Sequence, residues 1–348
     1  MKKFLILLVV VAIAIIIYLK VKPQKTELVP ENTATTSQTN VPPEPQITTD
    51  GVNLFKEGKY EEAIRQLEKE LKEKTTNERS SILNYLSQAY AKMAESGDTY
   101  FQSTTLSEVE KQAKARHCFT IALKGDLPKE KRDAIKQKLN LINRNLVFSP
   151  TINPSDSIIY KIKPGENIWK ISDTFKVPTG SDTEGQAYLG QIRRINHMKT
   201  SNIRAGDTFK IITGKFSIEV NKSNFTLTLY LNNEFVKEYP IAVGEPKESP
   251  TPVGTFHILG ASKIVNPPWY RYDKTTGKTT VIPFGDPAHS IGTRWMGFKD
   301  NEKVGIHGTN DPSSIGKAVT NGCIRMHNED VEELFDLVPG GTEVIIRE

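Results

Sequence analysis

The sequence predicts a multidomain chain: an N-terminal apolar helix, then an all-α region, a small β-α-α-β module and a mainly-β C-terminal domain. Three observations carry that prediction. Residues 4–19 form an unbroken apolar run, residues 51–148 repeat apolar positions at helical spacing, and residues 216–348 alternate like strands between Gly and Pro breaks. A length of 348 residues suits two or three domains, and 37% hydrophobic with 25% charged residues suits ordinary soluble cores. The net charge of +5 is too mild to argue for nucleic acid. Two cysteines, Cys118 and Cys323, exclude a disulfide-built scaffold, and neither a CxxC pair nor a Gly-rich phosphate loop is present.

Lys2 and Lys3 precede the apolar run Phe4–Leu19, and Lys20 closes it. That pattern is a secretory signal or signal-anchor. Its 16 residues span about 24 Å as a helix, short for a membrane crossing, but Lys20 and Lys22 can snorkel to the interface. No small-x-small cleavage site follows the run, so residues 1–22 are expected to stay as a transmembrane anchor in the inner membrane, with everything after them exported toward the periplasm or cell wall. Residues 23–50 hold five prolines and seven threonines; such a segment buries too little apolar surface to order itself and reads as a disordered spacer.

The all-α region covers residues 51–148. Its stripes are Tyr60, Ile64, Leu67 and Leu71, then Ile82, Leu86, Ala89 and Met93, then Ile135, Leu139, Ile142 and Leu146, with a less regular helix from about Leu106 to Leu123. Cys118 falls among Ala115 and Ala122 as a small core residue. The phrase from Leu54 to Ile64, with Gly58, Tyr60 and Ala63 inside it, followed by Leu86, Ala89 and Tyr90, resembles a tetratricopeptide helix pair. Only one and a half to two repeats fit. The region is therefore either a partner-binding surface or a packed spacer, and so short an array favours the spacer.

Residues 157–213 open with strand alternation from Ile158 to Lys163 and a turn at Pro164-Gly165. An amphipathic segment from Glu166 to Phe175, a helix near Gln186–Ile195 and a strand at Thr208–Ile212 follow. Tyr160, Ile162, Pro164-Gly165, Ile168-Trp169, Ile171, Phe175, Asn196 and Ala205-Gly206-Asp207 resemble a LysM module, with Ala205 where proline is usual and an apparent insertion at 178–185. The resemblance implies retention on the glycan strands of peptidoglycan.

In residues 216–348, Leu227, Leu229 and Leu231 alternate with Thr226, Thr228 and Tyr230. Asn232-Asn233 then turns the chain into a strand over Phe235–Val243, and Glu329–Leu337 reads as a helix. His307 lies 16 residues before Cys323. Thiol and imidazole together suit attack on a carbonyl, because the imidazole takes the thiol proton and later returns it to a leaving amine. Gly322 removes a side chain where substrate must approach and permits backbone N–H groups to face an oxyanion. Arg325 supplies positive potential or holds a substrate carboxylate. On residues alone Cys323 is equally a small buried apolar residue. Trp295 and Trp269 either line a cleft or pack in a core, Asp286 and Asp311 read as turn residues, and His289 and His327 lack the short spacing of a metal site.

The motifs His307-Gly308-Thr309-Asn310, Ser314-Ile315-Gly316-Lys317 and Asn321-Gly322-Cys323-Ile324-Arg325-Met326-His327 resemble the signature of bacterial L,D-transpeptidases. Pro250–Phe256 and Ile291–Gly297 match the same family. Two departures are Asn321, where many members carry histidine, and Thr320 in place of serine. The resemblance implies Cys323 as nucleophile, His307 as general base and acid, and oxyanion donors at Gly322 and Cys323. It also implies a substrate site formed by Arg325, Gly308, Thr309, Asn321 and Trp295. The donor is a tetrapeptide stem, attacked at its third residue with release of D-Ala, and a second stem's amine is the acceptor in a 3→3 cross-link. Water as acceptor makes the enzyme an L,D-carboxypeptidase, and a silent site makes it a wall-binding scaffold. No cofactor or metal is implied.

Overall fold

In a computed structural model, residues 48–73, 76–95, 107–125, 127–175, 184–273 and 275–348 are described. The expected anchor (1–22), nearly all of the expected spacer (23–50) and the apparent insertion at 178–185, up to residue 183, lie outside them. Among the described residues no helix is long and apolar enough to cross a membrane.

The helical region comprises α1 (Asp50–Lys56), α2 (Tyr60–Glu73), α3 (Thr76–Glu95), α4 (Glu108–Leu123) and α5 (Lys129–Leu146). Ser107 caps α4, accepting from the Glu110 N–H while the Glu110 carboxylate takes the Ser107 N–H; this reciprocal box sets the helix start at 108 rather than 106. Val52, Ala63, Ile64, Leu67, Ile82, Leu86 and Ala89 are buried together with Cys118, as their helical spacing predicts.

The small module pairs β1 (Ser157–Lys161) antiparallel with β2 (Thr208–Ile212) and places α6 (Ile168–Thr174) and α7 (Glu184–Ile195) between them in sequence. Ile162, Ile168, Ile171, Ile192, Phe209 and Ile211 form its core. The Asn196 side chain stitches helix to strand, donating to the carbonyls of Ile192 and Lys210 and accepting from the Lys210 N–H.

The C-terminal domain contains β3 (Phe216–Asn221), β4 (Thr226–Leu231), β5 (Glu234–Gly244), β6 (Gly254–Val265), β9 (Arg294–Phe298), β10 (Gly305–His307), β11 (Ala318–Thr320), β12 (Ile324–Met326) and β13 (Glu343–Arg347). It also holds a separate ribbon of β7 (Trp269–Tyr272) and β8 (Thr279–Ile282), and the helix α8 (Asn328–Leu337). The main sheet runs β11-β5-β12-β10-β9-β6-β13-β3-β4, and β4 also pairs with β5, so the strands close into a barrel. Closure depends on β5: its first half pairs with β4 and its last residues pair with β12 and β11. Asn232 and Asn233 both adopt positive φ (52° and 64°), the pattern of a type I′ hairpin turn, which explains why this dipeptide starts β5.

The modules are fastened by polar contacts at their seams. Asn143 of α5 donates to the carbonyls of Phe235 and Val236 at 2.7 and 2.9 Å, and the Phe235 ring joins Phe119, Ile135 and Leu139 in one apolar cluster. On the other side, Arg194 of α7 grips Asp336 of α8, and Gln191 donates to the Leu337 carbonyl at 2.8 Å. A Cβ at Gly190 would stand 3.1 Å from the Asp336 Cα, a tight contact that glycine avoids where the two helices approach. Arg116 and Asp156 form a buried ion pair at 2.9 Å, and the buried Lys210 ammonium donates to the Leu146 carbonyl. Burial pulls the Lys210 pKa down to about 8. At these seams α4 and α5 pack against β5.

Candidate active site

The site is built on β10 and β12, adjacent parallel strands with His307 opposite Arg325 and Ile306 opposite Ile324. Alternation sends Ile306, Ile324 and Met326 into the barrel core and leaves Gly305, His307, Cys323 and Arg325 on the opposite face. Cys323 sits one residue before β12, beside Gly305, whose backbone forms a hydrogen bond that favours the thiolate. Gly322 adopts a φ of 103°, a conformation that a side chain resists, and this bend delivers Cys323 to the strand end. The turn is further pinned by Thr320, whose hydroxyl donates to the Cys323 carbonyl at 2.6 Å. Gly244 packs beneath it: an added Cβ would lie 2.8 Å from the Gly322 Cα and 2.2 Å from the Ser249 carbonyl oxygen.

His307 is 4% exposed and its Nδ1 lies 2.6 Å from the Gly308 carbonyl. A carbonyl only accepts, so Nδ1 carries the proton and Nε2 is the basic nitrogen of the neutral ring. The Trp295 ring stacks on the imidazole at 5.8 Å, held in turn by donation from its Nε1 to the Ser262 hydroxyl. Burial, followed by the charges of Arg325 and His289, lowers the His307 pKa to about 4 against the opposing pull of the Gly308 and Ile291 carbonyls. Burial likewise pushes the Cys323 thiol above its ordinary value, with Gly305 and Arg325 pulling the other way. At neutral pH both groups are therefore uncharged. In keeping with this, the sulfur donates to the Lys303 carbonyl at 3.7 Å, not to the imidazole that the sequence expectation gave it. His307 and Cys323 share a face.

The other predicted site residues divide into two groups. Arg325 is half-buried on the catalytic face, with its Nε enclosed and without a hydrogen-bond partner, and Asn321 is exposed at the turn. Gly308 and Thr309, by contrast, are buried, and their polar atoms are engaged inside the protein. They build the site's frame and present no surface to a substrate. Trp295 is part-buried as the platform beneath His307, and Trp269 lies on the separate ribbon. Asp286 and Asp311 accept from backbone N–H groups two residues ahead, as turn residues do.

Asn328 is the residue that sequence reasoning missed. Its Oδ1 accepts from the Thr293 and Thr309 N–H groups at 3.2 and 3.0 Å, and its Nδ2 donates to the Thr309 carbonyl at 2.8 Å. One amide at the start of α8 thereby ties the loop after His307 to the segment before β9. Cβ atoms at Gly292 or Gly308 would come within 2.2 Å of that same Oδ1. Its position directly after the motif that ends at His327 was the available signal, but nothing in the spacing revealed the clamp.

Residues 215–346 match the L,D-transpeptidase catalytic domain family, and residues 160–211 match the LysM domain. YkuD of Bacillus subtilis (strain 168), a protein named as an L,D-transpeptidase, is 33% identical over 195 residues that cover 54% of this chain and 98% of YkuD. The chain belongs to the L,D-transpeptidase family. YqjB of the same organism, also named as an L,D-transpeptidase, is 40% identical to this transpeptidase over 131 residues, covering 36% of the chain and 68% of YqjB. A solved catalytic domain from the E. faecium L,D-transpeptidase aligns at 25% identity with a TM-score of 0.31, covering 38% of this chain and 98% of that one. Helices α1 to α5 of this transpeptidase lie outside both matched segments, and neither match bears on their resemblance to a tetratricopeptide pair.

Proposed function

We propose that this transpeptidase joins peptidoglycan stems, with Cys323 as nucleophile and His307 as the proton carrier. The observation that carries the reading is the pairing of β10 with β12, which sets a free thiol and a tautomer-fixed imidazole on one face. Cys323 leaves the Lys303 carbonyl, gives its proton to His307 Nε2 and forms a C–S bond with the carbonyl of the stem's third residue. The N–H groups of Gly322 and Cys323 receive the oxyanion. His307 returns the proton to the leaving nitrogen as the C–N bond breaks, releasing D-Ala and leaving a thioester. An amine of a second stem then attacks; its proton passes to His307, the C–S bond breaks, and the 3→3 cross-link forms as the thiolate recovers the proton. Arg325 and Asn321 hold the donor, with the Arg325 guanidinium matched to a stem carboxylate.

The LysM module holds the enzyme to glycan strands, and residues 1–22 anchor it so that the folded modules face the wall. Incubation with disaccharide-tetrapeptide, followed by mass analysis, tests the reaction. Loss of D-Ala with a cross-linked dimer is expected. Unaltered turnover by Cys323→Ala would remove the nucleophile assignment, and loss of D-Ala with water alone as acceptor would make the enzyme a carboxypeptidase.

A further inference from the structure

A second concave surface lies away from the catalytic face. A cleft of about 850 Å³ opens where α5, α7 and α8 meet β5 and β9. Arginines enter it from three separate elements: Arg144 from α5, Arg193 and Arg194 from α7, and Arg294 from β9. Lys237 of β5 adds a fifth cation, while Glu333 and Asp336 are the carboxylates among its lining residues. Both carboxylates are already taken. Arg194 holds Asp336 at 2.7 Å, and Lys237 holds Glu333 at 2.5 Å.

The charge of Arg144 and Arg193 is therefore surplus. Arg144 and Arg193 are exposed, and among the described residues neither meets a carboxylate. Arg294 in the cleft wall pairs with Glu332 at 3.8 Å and donates to the Thr293 carbonyl at 2.8 Å, so its charge is met within the protein although its Nε is buried without a hydrogen-bond partner. Cations gathered in one concavity repel each other and concentrate anions there. Arginine forks bind phosphate oxygens in pairs, and their spread over separate elements calls for several anionic groups along one chain. Phe148 and Met198 supply apolar wall between the cations, which suits carbon-rich units separating the charges.

We propose that this cleft binds a phosphodiester-linked polymer, with Arg144 and Arg193 as its phosphate contacts. The proposal is independent of the catalytic assignment, because Arg294 precedes Trp295 on β9 and so points to the other side of the strand from the His307 platform. The test is titration of the full chain with a glycerol-phosphate oligomer at rising salt, beside inorganic polyphosphate and poly-glutamate of equal charge. Salt-sensitive binding is expected, weakened at least tenfold in the double variant Arg144→Gln with Arg193→Gln. It should change less than about twofold when the exposed Lys131 and Lys278, outside the cleft, are both replaced by Gln. Melting temperature and tetrapeptide turnover should stay at wild-type values in the arginine variant, showing that its fold and active site are intact. No binding at low salt, equal binding by the arginine variant, or tighter binding of poly-glutamate would each overturn the proposal. Pull-down on sacculi with and without their phosphodiester polymers then separates a wall-attached ligand (retention lost on stripping) from a soluble one (retention unchanged).

Discussion

The His307 imidazole donates its Nδ1 proton to the carbonyl of its own neighbour, Gly308, at 2.6 Å, so Nε2 is left as the ring's base. An acceptor one residue away in the chain moves with the histidine and keeps the tautomer through any breathing of the sheet. Replacing His307 with Gln keeps a hydrogen-bonding side chain but removes the base. Acylation of Cys323 by a tetrapeptide stem should fall by about 10²–10⁴-fold, read by mass spectrometry of the thioester, with substrate affinity nearly unchanged.

The buried imidazole also predicts the enzyme's response to acid. Its pKa in the fold is about 4, below the ordinary value near 6.5. The acidic limb of kcat/KM should therefore fall near pH 4 instead of 6.5. Stability follows the same sign. Between pH 6.5 and 4 the unfolded chain binds the proton and the folded chain does not, so the stability present above 6.5 is lost as pH falls through that window. The loss from this group amounts to about 3 kcal/mol. Denaturant melts at pH 7 and pH 4 should show a smaller acid penalty for His307→Gln than for the wild type.

The Asn328 amide acts on the chemistry only through the loop it holds. Asn328→Ala deletes three hydrogen bonds and leaves the Thr309 backbone groups unpaired, at a cost of about 2–4 kcal/mol. Acylation should drop with KM little changed, since no substrate contact is lost. Gly308→Ala should produce a similar defect, because its Cβ would collide with Asn328 Oδ1. A wild-type melting temperature in Asn328→Ala would show that the clamp carries no load.

Two departures from the family motif have different weights in this structure. Thr320 donates to the Cys323 carbonyl, a task that a serine hydroxyl performs equally. Thr320→Ser should stay within about twofold in acylation rate, and Thr320→Val should lose about tenfold, the order of one hydrogen bond of about 1 kcal/mol or more. Asn321 is exposed, and Asn321→His should fold normally, with its effect confined to KM. Stopped-flow acylation of each variant separates the two positions.

The join between the LysM module and the catalytic domain is tight at Gly190. Gly190→Leu would drive a bulky group into Asp336 of α8 and should weaken the Arg194–Asp336 contact. Overpacking of this kind costs about 1–3 kcal/mol. Calorimetry should show a lower melting temperature, and an unchanged melt would mean that the two helices part without cost.

The sequence by itself determined the module order, because periodicity is local: helical stripes, the Asn232-Asn233 hairpin and the α8 pattern each depend on residues within a few positions. It also offered Cys323 and His307 as the proposed nucleophile and base, since both sit in short motifs that resemble the family's. Only the tertiary structure decided that Gly308 and Thr309 are frame and not substrate surface, that Asn328 ties two loops together, and that the resting thiol turns to Lys303. Those facts arise from strand closure and helix docking. Closure brings residues far apart in the chain into register, and desolvation there assigns each polar atom a partner that no local spacing encodes.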